Sequence, residues 1–225
     1  MSDSTSRGGA QTLARGVTAL KLVASATNGM SVVELAEHVG VHRTIASRLL
    51  STLADEGLVA KGTDGRYRGA AGLLTLTSAA YATIRAASGP ILQRLADELG
   101  ATVSLMVPEG NQVHALMVAT PRDARYKIVF AEGNTHPIDR AAAGYALLSL
   151  REPTPDDLPK VIETRKNGVA RSFAEVEPNA HGVAVPLVFK GGVQAAVNII
   201  TYNPDVAESA AGPMLRAAQD LVAAV

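Results

Sequence analysis

The chain has 225 residues, and at about 150 residues per domain this length favours one or two folded units. Its 21 basic and 21 acidic side chains cancel, which excludes a molecule coated throughout with positive charge but permits a local basic patch. The absence of cysteine excludes disulfide scaffolds, thiol nucleophiles and cysteine-bound metals. No run reaches the roughly 18 apolar residues of a membrane span and no signal peptide is recognisable, so we expect a soluble, cytoplasmic protein.

The chain begins with a predicted leader and a predicted helix. Residues 1–11 are small and polar and have no periodicity, which predicts a disordered leader. Apolar residues from Leu13 onward recur at helical spacing and predict a helix of about 14 residues. The Asn28-Gly29 turn ends that helix.

Two further helices are predicted with a single glycine turn between them. Ser31 and Glu34 are spaced as a capping box, which predicts a short helix over Val32–Val39. Gly40 ends this helix, and another is predicted from about His42 to Glu56. For the latter helix the apolar pattern permits two inward-facing sets, and these are Ala46, Leu50 and Leu53, or Ile45, Leu49 and Leu53.

A short basic hairpin is predicted next, with its turn at Asp64-Gly65. Two helices joined by a glycine turn and followed by a hairpin are typical of a winged helix-turn-helix, whose second helix enters the DNA major groove. We expect Arg43 or Arg48 to contact a guanine edge or a phosphate. The polar side chains expected to contact DNA are His42, Arg43, Thr44, Ser47, Arg48 and Ser51 on the helix, with Lys61, Arg66 and Arg68 on the hairpin.

The rest of the chain contains alternating helix and strand patterns. A linker helix is predicted from Leu73 to Ala87, and Gly89-Pro90 is expected to interrupt it before a helix over Ile91–Leu99. Strands are predicted at 102–107, 113–120, 127–130, 183–189 and 193–201. Helices are predicted at 140–150, with Asp139 as its cap, near 161–166, and at 206–225.

Three ordered stretches resemble the IclR-type bacterial transcriptional regulators. Ser31–Val59 is similar to the DNA-reading segment of that family, and Asn134–Leu148 is similar to a stretch of its C-terminal domain. Lys166–Pro178, followed by Val183–Phe189, is similar to the segment before its last hairpin. The resemblance implies an α+β fold with an N-terminal winged helix-turn-helix, a linker helix and a C-terminal GAF-like antiparallel-sheet domain that binds an effector.

The resemblance also implies a domain plan and a set of partners. We expect the leader at 1–11, the winged domain at 12–70, the linker helix at 71–89 and the effector-binding and oligomerisation domain at 90–225. The expected partners are a pseudo-palindromic double-stranded DNA operator and a small-molecule effector, bound by a homodimer or tetramer that acts as repressor or activator. No cofactor, metal or membrane partner is expected. In the DNA-reading helix, the resemblance places Ala46, Leu50 and Leu53 in the core and turns Ile45 toward DNA, where it suits a thymine methyl group.

An effector pocket is implied by the same resemblance. Backbone N–H groups at a helix N-terminus favour an anion, so we expect a small organic carboxylate there. Arg140 is either a partner of that carboxylate or a solvated side chain. The remaining pocket positions are Ala142, Ala143, Ala180, Gly182, Asn198 and Ile200.

Two other classes of protein compete with a DNA-binding regulator. One is a winged module that contacts only protein, with the C-terminal domain serving dimerisation. The other is a GAF-like enzyme, whose triad would be drawn from Ser104, Ser149, His114, His136, His181 and Asp139. No Gly-x-Ser-x-Gly elbow is present, so we expect no catalytic residue. His38 and His42 are spaced as metal ligands but have no evident third ligand, so we expect no metal site.

Overall fold

The structure is a computed structural model that describes residues 10–79, 81–123 and 130–225. The chain divides into two units, residues 1–81 and 82–225. Most of the predicted leader and most of the strand predicted at 127–130 lie outside the described residues.

The first unit consists of three helices, a hairpin and a fourth helix. Its elements are α1 (Gln11–Ser25), α2 (Val32–Val39), α3 (Arg43–Asp55), β1 (Val59–Lys61), β2 (Tyr67–Gly69) and α4 (Gly72–Ala79). The strands β1 and β2 pair antiparallel, which confirms the predicted hairpin. Met30, in the turn before α2, exchanges two backbone hydrogen bonds of 2.8 Å with Tyr67. The hairpin is thereby joined to the start of the helix pair.

The capping box predicted for α2 is present. The Glu34 backbone N–H donates to the Ser31 hydroxyl at 3.3 Å, and the Ser31 N–H donates to the Glu34 carboxylate at 2.8 Å. Two of the N–H groups left unpaired at a helix start are satisfied in this way. Gly40 ends the helix with φ of 69°, a left-handed conformation that favours glycine.

The core of the first unit lies where α1, α2 and α3 meet. Ala46 and Leu50 of α3 are fully buried, while Ile45 is 40% exposed. This is the orientation implied by the family resemblance. Leu49 is buried as well, so α3 contributes a wider apolar stripe than either predicted set.

The second unit is built on one antiparallel sheet. Its helices are α5 (Ala82–Leu99), α6 (Ala141–Ser149), α7 (Pro159–Asn167), α8 (Pro204–Ser209) and α9 (Ala211–Ala224). Its strands are β3 (Thr102–Glu109), β4 (Gln112–Ala119), β5 (Thr135–Pro137), β6 (Ala170–Phe173), β7 (His181–Val188) and β8 (Gln194–Thr201). The described strands pair in the order β5-β4-β3-β8-β7-β6.

The helix α6 packs against the sheet with nearly all of its residues buried. Gly144 lies so close to the Ile138 backbone that an added Cβ atom would overlap the Ile138 carbonyl oxygen. A side chain at this position would push the helix away from the segment that precedes it. Glycine is therefore required by a close approach of two backbones.

Several predicted boundaries in the second unit are wrong. The helix α5 continues through Gly89-Pro90, although an interruption was expected there. A proline inside a helix costs about 3 kcal/mol. The buried side chains of Ile84, Leu92 and Leu95 lie on both sides of it and each contribute roughly 1.5–3 kcal/mol when buried, so their packing outweighs that cost.

Two other differences concern the end of the chain and the edges of the sheet. The single helix predicted at 206–225 is divided into α8 and α9 at Ala210, because Pro213 has no N–H to continue the hydrogen-bond ladder. The short edge strands β5 and β6 were not predicted at all.

None of the described helices is long and apolar enough to cross a membrane.

Candidate nucleic-acid interface and ligand cavity

The outward face of α3 carries the side chains expected to contact DNA. His42, Arg43, Thr44, Ser47, Arg48 and Ser51 are all exposed. Within the part of the chain that the structure describes, neither Arg43 nor Arg48 is paired with a carboxylate. Both guanidinium groups are therefore available to an external anion.

The two histidines that flank the glycine turn make local contacts at the ends of α2 and α3. His42 is the N-cap of α3, and its Nδ1 atom lies 3.1 Å from the Thr44 hydroxyl and accepts from the Thr44 N–H at 3.4 Å. His38 Nδ1 lies 2.8 Å from the Glu34 carbonyl oxygen. Among the described residues, no group of three or more His, Cys, Asp or Glu side chains is placed to hold a metal ion.

Arg66 on the hairpin is bound within its own unit. Its Nη2 donates to both Glu34 carboxylate oxygens, at 2.7 and 2.9 Å, and to the Gly29 carbonyl oxygen at 3.0 Å. The hydrogen bond from the Ser31 N–H, together with Arg66, lowers the pKa of Glu34 to about 2. Arg66 thus fixes the hairpin to the turn before α2 and to the first turn of α2.

Of the other two basic residues of the hairpin, one is paired with a carboxylate and the other is not. Arg68 forms a two-pronged ion pair with Asp64, with N–O distances of 2.6 and 3.0 Å, and its hydrogen bonds hold the pKa of Asp64 well below its usual range. Lys61 is exposed, and its ammonium lies 5.8 Å from the centre of the Tyr67 ring. Of the five cations predicted for this surface, Arg43, Arg48 and Lys61 have no carboxylate partner among the described residues.

The second unit contains a cavity between the sheet, the start of α6 and the segment of residues 174–180 that joins β6 to β7. Five of the seven predicted pocket residues line it, namely Ala142, Ala180, Gly182, Asn198 and Ile200. Arg140 and Ala143 do not line it. The cavity has a volume of about 40 Å³. The cavity is therefore narrow in this conformation.

The N-terminus of α6 is capped by residues distant in the sequence. The prediction that Asp139 caps this helix is wrong. The N-cap residue is Arg140, and its exposed side chain makes no capping hydrogen bond. The Ala141 N–H donates to the Glu175 carboxylate at 2.7 Å, and the Ala142 N–H donates to the Ser172 hydroxyl at 3.0 Å. Both acceptors line the cavity.

Glu175 also binds two side chains. The Tyr145 hydroxyl donates to it at 2.6 Å, and the Lys160 ammonium donates at 2.6 Å. Burial works against the charged carboxylate, but the hydrogen bonds from Lys160, Tyr145 and Ala141 outweigh it and lower the pKa of Glu175. Burial, followed by the bond to Glu175, raises the pKa of Tyr145 to about 12.

The arrangement of the first unit matches a known domain. The family model of the IclR helix-turn-helix domain matches residues 12–62, from α1 to the end of the first hairpin strand. The HTH-type transcriptional regulator Rv1719 of Mycobacterium tuberculosis is 33% identical over 150 residues. The chain therefore contains an IclR helix-turn-helix domain. The aligned stretch covers 66% of the chain and 58% of that relative, which is less than two thirds of the relative's length.

Solved structures of IclR proteins share the fold of both units. The IclR transcriptional regulator of Alicyclobacillus acidocaldarius is 23% identical with a TM-score of 0.80, over 96% of this chain and 98% of that one. An IclR homologue of Microbacterium hydrocarbonoxydans, solved with 4-hydroxybenzoate, is 19% identical with a TM-score of 0.73, over 94% of this chain and 99% of that one. The curated relative and the first of these structures are named as regulators, in agreement with the expectation that the chain is not an enzyme.

Several residues of the cavity were not predicted from the IclR resemblance. They are Met106, Phe130, His136, Ala141, Ser172, Glu175, Val176, Glu177 and His181. Ser172 lies on an unpredicted edge strand, and Glu175 follows that strand. Glu175 lies two residues before a second acid, Glu177. Nothing in this short stretch of sequence predicts a contact between Glu175 and Ala141, the first residue of a helix that begins 34 residues earlier.

Proposed function

We propose that this chain is a DNA-binding transcriptional regulator of the IclR family, that it acts on a metabolic operon and that its C-terminal unit senses a small organic carboxylate. The observation that carries the proposal is the outward face of α3, where Arg43 and Arg48 have no carboxylate partner among the described residues, while the cations of the hairpin turn are paired. A cation that no protein carboxylate neutralises is suited to a phosphate or a base edge.

The geometry of α3 supports direct reading of the major groove. Ala46 and Leu50 anchor one face in the core, which leaves the opposite face for hydrogen bonding. Arginine pairs with guanine through two hydrogen bonds, and Ile45 offers an apolar contact to a thymine methyl group. The hairpin, held by Arg66, presents Lys61 to the flanking phosphates.

The cavity of the second unit supports the sensing role. It combines apolar walls with a few polar groups, a composition typical of small-molecule sites. The structural relative solved with 4-hydroxybenzoate makes an aromatic carboxylate a reasonable chemical class for this chain too. We propose that effector binding changes operator affinity, which requires a ligand that binds the two conformations of the protein unequally.

Selection from random duplex DNA tests the DNA-reading part. The wild type is expected to enrich one motif made of two half-sites spaced by about one helical turn or a multiple, as a two-fold dimer requires. The Arg43→Ala/Arg48→Ala double variant is expected to enrich nothing. A matched double variant at the exposed Lys21 and Lys190, neither of which belongs to α3 or the hairpin, removes the same charge and is expected to select the wild-type motif.

Two outcomes would contradict this proposal. A wild-type protein that enriches no sequence would identify the winged unit as a protein-binding module. Equal loss of selection in both double variants would mean that net charge, and not the α3 face, determines binding. The selected duplex then serves as the operator in titrations of DNA binding.

A further inference from the structure

A carboxylate of the chain itself occupies the place where an anionic ligand is expected. The Glu175 side chain enters the cavity from the 174–180 segment, and one of its oxygens accepts from the Ala141 N–H at 2.7 Å and the Tyr145 hydroxyl at 2.6 Å. Its other oxygen accepts from the Lys160 ammonium at 2.6 Å. Backbone N–H groups at a helix start, a hydroxyl and an ammonium are the donors that proteins use to bind organic acids.

The backbone that holds Glu175 in place is strained. Ala141, the first residue of α6, has φ of 62°, and Ala174, next to Glu175, has φ of 55°. Asn179, near the end of the same segment, has φ of 59°. Alanine seldom adopts this left-handed conformation, and such strain persists only where surrounding contacts maintain it. Removing Glu175 from the helix start would release those contacts.

The cavity also contains polar groups that Glu175 does not use. His136 is 7% exposed and lines the cavity, and its Nδ1 atom lies 2.8 Å from the Pro137 carbonyl oxygen. Its Nε2 atom has no hydrogen-bond partner among the described residues, and burial lowers the pKa of the ring, which favours the neutral form. Asn198 also lines the cavity and is 5% exposed, and its amide N–H₂ donates to the Ser104 hydroxyl at 3.2 Å.

We propose that Glu175 is an internal surrogate for the effector's carboxylate, so that an organic acid binds at Ala141, Tyr145 and Lys160 by displacing Glu175 and thereby moving the 174–180 segment. This inference rests on the proposed function, because it assumes that the cavity is the effector site. The apolar walls and the free acceptor of His136 favour an acid with an apolar body that carries a hydrogen-bond donor. The narrowness of the cavity follows from the same arrangement, since the Glu175 side chain fills part of the ligand space.

Acetate binding to a Glu175→Ala variant tests the proposal without DNA and without the natural effector. Thermal unfolding of the full chain is followed by calorimetry in sodium acetate and in sodium chloride of equal ionic strength. Acetate at about ten times its dissociation constant is expected to raise the Tm of the Glu175→Ala variant by roughly 3–6 °C relative to chloride. The wild type is expected to bind acetate at least about tenfold more weakly, because its own carboxylate competes at a high effective concentration.

Matched variants separate the site from general effects of charge. Glu177→Ala removes the other acid that lines the cavity, whose carboxylate accepts from the Tyr202 hydroxyl at 2.8 Å and not from α6. This variant is expected to respond to acetate as the wild type does. Glu175→Gln, whose amide fills the vacated space, is expected to gain no acetate site. A Lys160→Ala/Glu175→Ala double variant is expected to lose most of the response.

The experiment has clear contrary outcomes. No acetate response in Glu175→Ala, or an equal response in the wild type, would overturn the proposal. If Glu175→Ala shows no cooperative unfolding in chloride, Glu175→Ser vacates the same place, and refolding of either variant in acetate but not in chloride is then the expected result. Failure to refold in both salts would overturn the proposal. None of these results depends on DNA binding, so they are distinguishable from a failure of the regulator assignment.

Discussion

The salt dependence of operator binding is expected to fall when Arg48 is replaced by alanine but not when Arg68 is removed together with Asp64. Arg48 has no carboxylate partner among the described residues, so any phosphate that it neutralises releases condensed cations from the DNA. Arg68 and Asp64 form an ion pair of 2.6 Å and together carry no net charge. Removing the whole pair therefore leaves the charge presented to DNA unchanged.

The size of the effect follows from the number of free cations. Each neutralised phosphate contributes about 0.9 to the slope of log K against log salt concentration. Arg43, Arg48 and Lys61 give about 2.7 per subunit, or about 5.4 for a dimer on two half-sites. Arg48→Ala is expected to reduce the magnitude of the slope by about 1.8 in the dimer if Arg48 contacts phosphate, whereas the Arg68→Ala/Asp64→Ala double variant is expected to keep the wild-type slope.

Fluorescence anisotropy of the selected duplex at four or more salt concentrations measures these slopes. If Arg48 contacts a guanine edge in place of a phosphate, its removal lowers affinity for the operator much more than for random DNA. An equal loss of slope in the Arg68→Ala/Asp64→Ala variant and in Arg48→Ala would refute this prediction, because it would mean that Arg68 breaks its ion pair with Asp64 and binds a phosphate.

Three further predictions concern stability. Gly144→Ala is expected to destabilise the second unit by about 3 kcal/mol in denaturant unfolding, because its Cβ overlaps a backbone carbonyl, while Gly212→Ala, which has room in α9, is expected to stabilise it by about 0.5–1 kcal/mol. A similar loss at both glycines would refute the steric argument. Leu50→Ala is expected to cost the first unit about 2–5 kcal/mol, and Leu13→Ala, at a position that is 68% exposed, less than about 0.5 kcal/mol. The pKa of Glu34 is lowered from 4.5 to about 2 in the folded unit, so its contribution to stability is complete above about pH 4.5 and is lost as the pH falls toward 2. The difference in Tm between the wild type and Glu34→Gln should accordingly shrink over that window, and a constant difference would contradict the assignment.

Local sequence signals predicted the first unit closely. The helix α2 was predicted at its observed bounds, because Ser31, Glu34 and Gly40 determine both of its ends through contacts within a few residues. The hairpin followed from an Asp-Gly turn. The inward face of α3 was ambiguous from periodicity alone and followed from the family resemblance, and both Ala46 and Leu50 are buried.

Features that depend on distant contacts were not predictable in the same way. Arg66 contacts Glu34, 32 residues earlier, and Glu175 contacts Ala141, 34 residues earlier. Neither pair leaves a pattern in a short window of sequence. Gly89-Pro90 was expected to break a helix because the local cost is evident, whereas the packing that offsets it is formed only in the tertiary fold.

The residues that line the cavity come partly from strands and partly from a connecting segment, and this difference has an evolutionary consequence. Met106, Gly182, Asn198 and Ile200 belong to the paired strands β3, β7 and β8, whereas Glu175 comes from the 174–180 segment, which lies outside any helix or strand. Surface segments of this kind tolerate substitution, insertion and deletion far better than central strands do. Descendants of this chain can therefore acquire new chemical preferences by altering a few residues of one connection, while the sheet that maintains the fold is inherited without change.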